Sequence, residues 1–205
     1  MAVSTESGGV RDLGFGGRVR HLATRANPAV AAGSLVVPLL VVAVAAALGS
    51  AELLFFTHVA AGAVWFGFAL VFPAVVGPTL GGLDDETAAK VNATLVPKAV
   101  FFLVGFSFTT VVSGTLLLTG TGLGYGFTGF WPNLALGTGW GLFLFGLVVP
   151  NRLHLRAYYE GVSPDPDPEV LESVEKRNLV VALFEATAML GIVVIMTGMR
   201  LGINV

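Results

Sequence analysis

The sequence predicts an all-α integral membrane protein, a helical bundle of about five transmembrane helices with the N-terminus inside and the C-terminus outside. Three observations lead to this class. Hydrophobic residues make up 55% of the 205 positions and charged residues only 12%, about half the charge of a typical soluble domain. The hydrophobic residues form five long runs. Lysine and arginine are concentrated in alternate segments between these runs.

The composition also excludes several kinds of site and partner. The chain contains no cysteine, so disulfides, thiolate metal sites and cysteine nucleophiles are ruled out. A formal net charge of −2 argues against a nucleic-acid partner, whose phosphates bind basic surfaces. No Walker, zincin or serine-elbow motif is found in the sequence, and no catalytic residue is assigned. The expected partner is the lipid bilayer, and the glycine-rich spans, with a GxxxG packing signal at Gly137 and Gly141, are compatible with a homo-oligomer.

The chain divides into a tail and a membrane domain. Residues 1–28 are polar and glycine-rich, and we predict a cytoplasmic tail with a short interfacial helix near Val19 to Ala26. Residues 29–205 are predicted to form the transmembrane domain. Its spans are expected at about 29–48, 53–76, 99–118, 132–149 and 179–201, each near the ~20 residues that cross the hydrocarbon. Only Gly49 to Glu52 separate the first two runs, which predicts a tight hairpin, because one helix through both would greatly overshoot the bilayer.

Basic residues determine the predicted orientation, since lysine and arginine accumulate in cytoplasmic loops. With the N-terminus inside, ten of the 11 basic residues fall inside and only Arg200 falls outside. The second inner loop is expected at 151–178, and the outer loop at 120–131 has no charge. That outer loop carries aromatic residues typical of the membrane–water boundary, namely Tyr125, Phe127, Phe130 and Trp131. The pattern predicts a multi-pass protein of the cell (plasma) membrane.

Acidic residues and prolines mark helix boundaries in the inner segments. Asp84 and Asp85 are suited to cap a short helix that ends before Pro97. Asp167 followed by Pro168 is typical of an N-cap and first helical position. The fifth helix is therefore predicted to begin there, inside the cytoplasm, and to run continuously into the membrane. Two i,i+4 ion pairs are expected on these helices, Glu86 with Lys90 and Glu172 with Lys176.

His58 is the most informative single residue. It lies about five positions below the outer end of the second span, in an otherwise apolar run, and an ionisable group at that depth indicates function by default. Gly62 and Trp65 follow at i+4 and i+7, on the same helix face. A glycine beside an imidazole leaves room for a flat partner such as a porphyrin, and histidine is a common axial haem ligand. The alternative is a neutral histidine that hydrogen-bonds a neighbouring helix, with Gly62 serving close packing.

The residues around His58 resemble a known group of membrane proteins. The shared pattern is a histidine, six residues, then tryptophan, any residue and glycine, here His58-Val59-Ala60-Ala61-Gly62-Ala63-Val64-Trp65-Phe66-Gly67, followed by Phe72-Pro73-Ala74. This segment looks like the first core helix of a superfamily that joins copper-resistance D-like membrane proteins and bacterial protoporphyrinogen oxidases. The resemblance covers roughly residues 53–160, with an extra helix ahead of it.

The resemblance implies that His58 is equivalent to the family's haem-associated histidine. In the oxidase branch it implies b-type haem and the oxidation of protoporphyrinogen. The sequence departs from that branch, where a basic residue is expected within a later helix, because the fourth span has none before Arg152 at its inner end. This departure bears on the oxidase activity rather than on the fold.

A second ligand for His58 is expected on the fifth span. His154 lies past the inner end of the fourth span, ~20 Å or more from His58 along the membrane normal. Met196 is level with His58, and a His/Met pair suits haem or, with Met199 added, a soft Cu(I) site. The alternative is that these methionines fill the bundle core. The methionines belong to one helix face whose residues are spaced 4, 3, 4 and 3 positions apart, namely Glu185, Met189, Ile192, Met196 and Met199.

Glu185 is the one acidic residue clearly inside a span. It is a candidate for proton relay, because carboxyl groups at membrane depth often mark proton paths. The alternative is a structural hydrogen bond or ion pair. The partners expected for that bond are Arg152 or hydroxyl groups of the third span, namely Ser107, Thr109 and Thr110.

These observations predict a copper-resistance D-like membrane protein that binds haem b or copper. His58, Trp65 and Met196 are the expected cofactor contacts, and Met199 would join His58 and Met196 for copper. The alternative function is a small-molecule or ion transporter component that uses Glu185. A structural membrane subunit without a site is the third interpretation.

Overall fold

The computed structural model describes residues 13–119, 129–163 and 165–201, and this part of the chain contains six helices and no strand. We number them α1 to α6 in chain order. Their bounds are Phe15–Ala26 for α1, Pro28–Ala47 for α2, Ala51–Gly81 for α3, Asp85–Thr119 for α4, Phe130–Gly161 for α5 and Pro168–Arg200 for α6. Within α3, the segment Phe72–Val76 is a π-helix. The predicted outer-loop aromatics Tyr125 and Phe127 lie outside the described residues.

Five of these helices, α2 to α6, are long and apolar enough to cross a membrane. This confirms the all-α class, and the number of described helices able to span a membrane equals the five spans predicted. Helices α3 to α6 are longer than the predicted apolar runs because each continues past its run with further turns, and α4 begins 14 residues before the expected position 99, at Asp85. The predicted inner loop at 151–178 is accordingly helical up to Gly161 and again from Pro168.

Several of the helices begin at a residue whose side chain accepts a hydrogen bond from a free backbone N–H group of the first turn. Asn27 accepts from Ala29 at the start of α2, and Ser50 accepts from Leu53 at the start of α3. Asp167 caps α6 with Pro168 in the first turn, as predicted. Between α2 and α3, the chain turns at Gly49 with φ 63°, a conformation that favours glycine. Both predicted ion pairs form, Glu86 with Lys90 and Glu172 with Lys176.

The prediction that the helix after Asp84 ends before Pro97 was wrong. The Asp84 carboxylate accepts from Thr87 N–H at 2.9 Å, but α4 then continues through Pro97 to Thr119. Pro97 is fully buried, so packing against neighbouring helices offsets the hydrogen bond that proline removes. Local proline signals are overridden in this way when the surrounding helices hold the backbone in place.

Helices α3 to α6 form a four-helix bundle. Helix α3 packs against α4 and α6, and α5 also packs against α4 and α6, so the four helices close a ring. Helix α2 lies outside the ring against α3 and α4. It approaches α4 closely at Gly105, where an added Cβ would lie 2.0 Å from the carbonyl oxygen of Ser34.

The GxxxG face predicted for packing is not used within the chain. A Cβ added at Gly137 or at Gly141 would have nothing within 4 Å, and both glycines are exposed on the outside of α5. The homo-oligomer predicted from glycine-rich spans therefore stays a prediction.

Helix α1 is part of the packed structure rather than a free extension. Leu22 and Ala26 are buried, and Leu22 packs with Tyr158 and Tyr159 near the end of α5. The His21 Nε2 and the Tyr158 hydroxyl are 3.0 Å apart. This helix occupies 12 residues of the segment 1–28 that was predicted as a tail, and it begins before the expected Val19, at Phe15.

Candidate functional site

Trp65 and Glu185 meet inside the four-helix ring. Trp65 lies on α3 and Glu185 on α6, and the indole side chain lies beside the carboxyl group, with its N–H as the available donor. On the other side of this carboxyl group is Gly146 of α5, where an added Cβ would lie 3.6 Å from Glu185 Oε1. Three helices therefore position one carboxyl group inside the bundle.

A cavity of about 1240 Å³ leads to this carboxyl group. It begins at the end of the bundle where α3 and α5 finish and α4 and α6 start, which we call the basic end because it carries Lys90, Arg152, Arg156, Lys176 and Arg177. Lys176 borders the cavity and is well exposed, so the cavity is open at this end. From there it extends inward to Trp65, Ser107 and Glu185.

The cavity stops at a layer of packed apolar side chains. This dividing layer consists of Trp65, Val111, Leu142, Phe143 and Met189, all of them buried. Trp65 and Phe143 form part of the cavity wall, whereas the other three follow beyond it on their helices. Dense packing at this level separates the cavity from the other half of the bundle.

The partners of Glu185 differ from those that the sequence suggested. The hydroxyl groups of Ser107, Thr109 and Thr110 donate to carbonyl groups of their own helix one turn earlier. Trp65, predicted as a cofactor contact beside His58, lies beside Glu185. Back-bonding to the preceding turn is the usual way in which hydroxyls are satisfied in apolar helices.

His58 lies on the far side of the dividing layer, seven residues or about 10 Å before Trp65 along α3. Its Nδ1 is 2.9 Å from the Thr110 carbonyl oxygen and 3.3 Å from the Ser113 hydroxyl. Because a carbonyl can only accept, Nδ1 carries the hydrogen, and Nε2 of the neutral ring keeps its lone pair. This is the tautomer of a histidine that ligates a metal through Nε2.

The space beside His58 is filled by α4. A Cβ added to Gly62 would lie 3.4 Å from Thr110 Cγ2, and one added to Gly114 would lie 2.8 Å from His58 Cε1. Gly62 thus serves close helix packing, which was the alternative interpretation of this residue. The glycine that makes room for the imidazole is Gly114. His58 can therefore supply one metal ligand through Nε2. The position beside Gly62, however, is occupied by α4 and does not leave the space that a porphyrin requires.

The predicted methionine ligands lie on α6. Met189 of that face is buried in the dividing layer, and Ile192 lies near Gly139 of α5, so this face points into the ring. Counted from the level of Trp65 and Glu185, His58 lies seven residues towards the outer end of α3 and Met196 lies eleven residues towards the outer end of α6, so Met196 is about 6 Å, roughly one turn, beyond His58 rather than level with it as predicted. A shared site for His58, Met196 and Met199 stays a prediction. Among the described residues, no three histidine or acidic side chains are grouped as metal ligands.

No protein-family model, curated protein or solved structure matches the chain. The resemblance to copper-resistance D-like proteins therefore stays a prediction that rests on the His58 to Gly67 pattern.

Sequence reasoning missed several residues around the cavity. Asn178 lies on α6 seven residues before Glu185, on the same face, and its amide oxygen is buried without a hydrogen-bond partner. Helical spacing from Glu185 was the signal that could have found it. For Gly146 no such signal exists, since its importance depends on which helix packs against α6.

Proposed function

We propose that this chain is a membrane transport component that binds a small molecule in the cavity, with Glu185 as the group that exchanges a proton. The observation that supports this function is a carboxyl group at the closed end of a large cavity within the bundle. Carboxyl groups inside membrane domains are costly and are typical of substrate and proton pathways. A purely structural subunit would gain stability from an apolar residue at this position.

The backbone around the cavity supports a moving wall. The π-helical segment Phe72–Val76 contributes Phe72 and Pro73 to the lining, and Pro150 of α5 lines it from the opposite side. Single π-turns are frequent at functional sites, and prolines are the usual positions of helix bending. Bending at these positions would open the dividing layer to the other half of the bundle.

The same proposal includes the orientation. The excess of lysine and arginine at the basic end supports a cytoplasmic opening of the cavity in a multi-pass protein of the plasma membrane. In this arrangement the amino end of the chain is inside, and α6 ends outside.

A single-cysteine experiment tests transport directly, because the native chain contains no cysteine to compete. Ala182 lines the cavity, whereas Val180 is 67% exposed on the lipid-facing side of the same helix. In vesicles of both orientations, Ala182→Cys is expected to react with a membrane-impermeant maleimide, and Val180→Cys is not. A transporter exposes Ala182→Cys to both sides in turn, so labelling from one side alone would contradict transport.

Proton exchange is tested separately in proteoliposomes that contain a pH-sensitive dye. Candidate substrates that drive proton movement through the wild-type chain are expected to drive none through Glu185→Gln. The matched control is Glu86→Gln, which removes an exposed carboxylate of an ion pair outside the cavity. Equal proton flux in Glu185→Gln and wild type would exclude this role.

A second candidate function is the binding of copper at His58, with Met196 and Met199 as further ligands; haem b, the other predicted cofactor, does not fit beside Gly62. The observation that favours copper is the Nδ1 hydrogen bond to Thr110, which leaves Nε2 free to ligate. When bound, copper would supply electron-transfer chemistry. Protein purified after growth with copper would contain bound copper that His58→Ala loses and His154→Ala keeps. Absence of copper from wild-type protein would exclude this candidate.

A further inference from the structure

We infer that the ligand of the cavity is an organic cation, a protonated amine on an aromatic or other apolar body, which binds with its nitrogen at Glu185. This inference rests on the proposed function and names its ligand class.

The charges around the cavity favour a cation. The described residues of its lining include three carboxyl groups, Glu172, Glu175 and Glu185, and one ammonium group, Lys176. Lys176 is already paired with Glu172 at 2.6 Å, so it does not neutralise Glu185 at the inner end. An anionic ligand would meet uncompensated negative charge, whereas a cation would supply the missing counter-charge.

The walls next to Glu185 are suited to an apolar cation rather than to a hydrated metal ion. Aromatic rings line the cavity at Trp65, Phe72, Phe143 and Tyr158. The faces of aromatic rings attract cations, most strongly when water is excluded. A metal ion would instead require several oxygen ligands, and among the described lining residues the inner end offers a single carboxyl group.

Hydrogen bonding specifies the cation further. The Glu185 carboxyl group is a hydrogen-bond acceptor at the inner end of the cavity, and a charged N–H donor forms a stronger and shorter bond to a carboxylate than a neutral donor does. A protonated amine supplies such donors, whereas a quaternary ammonium group does not.

The cavity also has the size for such a ligand. Its volume of about 1240 Å³ exceeds the ~300–1,000 Å³ typical of sites for drug-sized molecules. The ligand and its remaining water therefore fit together. Because one carboxylate binds either a proton or the cation, the two compete at Glu185, which is the coupling that exchange of an amine for protons requires.

The test uses the full chain in nanodiscs of zwitterionic lipid and three probes with the same naphthylbutyl group. These probes are naphthylbutylamine, naphthylbutanol and naphthylbutanoate, which carry a positive, zero and negative charge at neutral pH. Binding is measured by equilibrium dialysis against empty nanodiscs, which corrects for partitioning into lipid. We expect the amine to bind about tenfold or more tightly than the alcohol, and the carboxylate to bind most weakly.

Two variants assign this preference to the cavity. Glu185→Gln should bring the Kd values of the amine and the alcohol within about twofold of each other, because it removes the counter-charge but keeps the shape. Gly146→Leu should weaken both probes, since its side chain occupies the space beside Glu185. Glu86→Gln is the matched control and should keep the wild-type preference.

The pH dependence of the Kd values gives a second test of the role of Glu185. As the pH falls below the pKa of Glu185, the Kd of the amine should rise by up to about tenfold per pH unit, and the Kd of the alcohol should stay constant. The other titratable groups that line the cavity are His154 and Tyr158 of α5 and Glu172, Glu175 and Lys176 of α6. His154→Gln and Glu175→Gln should therefore leave the pH dependence in place.

The outcomes separate this inference from the proposed function. If the alcohol binds as tightly as the amine and Gly146→Leu weakens both, the cavity binds small molecules but the ligand class is wrong. If no probe binds while Ala182→Cys is still labelled from both sides, the inference fails and transport stands. Labelling from one side alone, with amine preference intact, would leave a cation-binding cavity without transport.

Discussion

At the scale of single residues, the sequence identified His58 and Glu185 as polar groups at membrane depth, and the structure places both inside the packed helices. Their partners could not be predicted. His58 bonds to a backbone carbonyl at Thr110, and every residue type carries a carbonyl. Trp65 was assigned to the His58 side because of its helical spacing, but its indole reaches across the ring to Glu185. Partner identity depends on which helices become neighbours, which single-helix periodicity does not encode.

The close contact between His58 and Gly114 predicts that a side chain at position 114 destabilises the protein, and that removal of the imidazole restores the stability. Gly114→Ala places a Cβ 2.8 Å from His58 Cε1, so the imidazole must shift, and we expect a loss of about 1–3 kcal/mol in the free energy of unfolding. Unfolding in mixed dodecyl maltoside and SDS micelles measures this loss. In a His58→Ala background the same substitution should cost little. An equal loss in both backgrounds would mean that the strain arises elsewhere.

At the scale of helices, hydropathy predicted the number and approximate centres of the spans because each apolar run must cover the hydrocarbon. The ends were less predictable. Helix α4 passes through Pro97, α5 continues to Gly161, and α3 includes a π-turn. Outside the apolar core, these ends depend on contacts such as the Glu160 carboxylate, which accepts from Asp167 N–H at 2.8 Å and joins α5 to the start of α6. Such contacts leave no periodic signal.

The packing of α2 on the ring is expected to depend on Gly105. Gly105→Ala would place a Cβ 2.0 Å from the Ser34 carbonyl oxygen, a backbone atom that cannot rotate away, so α2 must move outward. We expect a loss of stability at the upper end of the ~1–3 kcal/mol typical of overpacking, or more. Gly141→Ala is the matched control, since nothing lies within 4 Å of its added Cβ. Similar unfolding curves for the two variants would contradict the close approach.

The docking of α1 should depend on pH. Burial, and secondarily the Arg25 guanidinium, lower the pKa of His21 from its usual 6.5. An undocked His21 binds protons more readily, so docking is strongest above pH 6.5 and weakens as the pH falls below it. The groups facing His21 are Tyr158, at 3.0 Å, and Arg25.

Electron–electron double resonance can measure the distance between nitroxide labels attached at Thr24→Cys and Arg156→Cys. This distance reports whether α1 is docked on the bundle. The distance distribution is expected to broaden as the pH is lowered from 7.5 to 5.5. His21→Leu keeps an apolar contact without a titrating group, so its distribution should not change with pH. A wild-type distribution that is constant over this range would contradict the prediction.

At the scale of the whole molecule, the membrane class followed from composition alone, because a chain with 12% charged residues cannot cover a water-facing surface. The closed ring of α3 to α6 and the cavity inside it did not follow. Apolar residues point towards both lipid and protein in a membrane domain, so hydropathy does not distinguish the inner face of a helix from the outer one. For the same reason hydropathy could not predict that the GxxxG face of α5 is exposed rather than packed within the chain.

The orientation of the whole chain is a further prediction. Glu52 lies at the end of the bundle opposite the basic end, and Asp165 lies in the exposed turn between α5 and α6. In intact cells, Glu52→Cys should react with an impermeant maleimide and Asp165→Cys should not, with the opposite result in inverted vesicles. The reverse labelling pattern would overturn the positive-inside assignment.

The cavity has a consequence for voltage. Water in the cavity would bring the electrical potential of the basic end as far as Glu185, so the membrane potential would drop over the packed half of the bundle between this carboxyl group and the opposite end. A charge that leaves Glu185 towards that end would then experience most of the ~2.3 kcal/mol per 100 mV that a full crossing involves. A membrane potential would therefore act on this carrier mainly beyond Glu185, and only weakly on movement between the basic end and the carboxyl group.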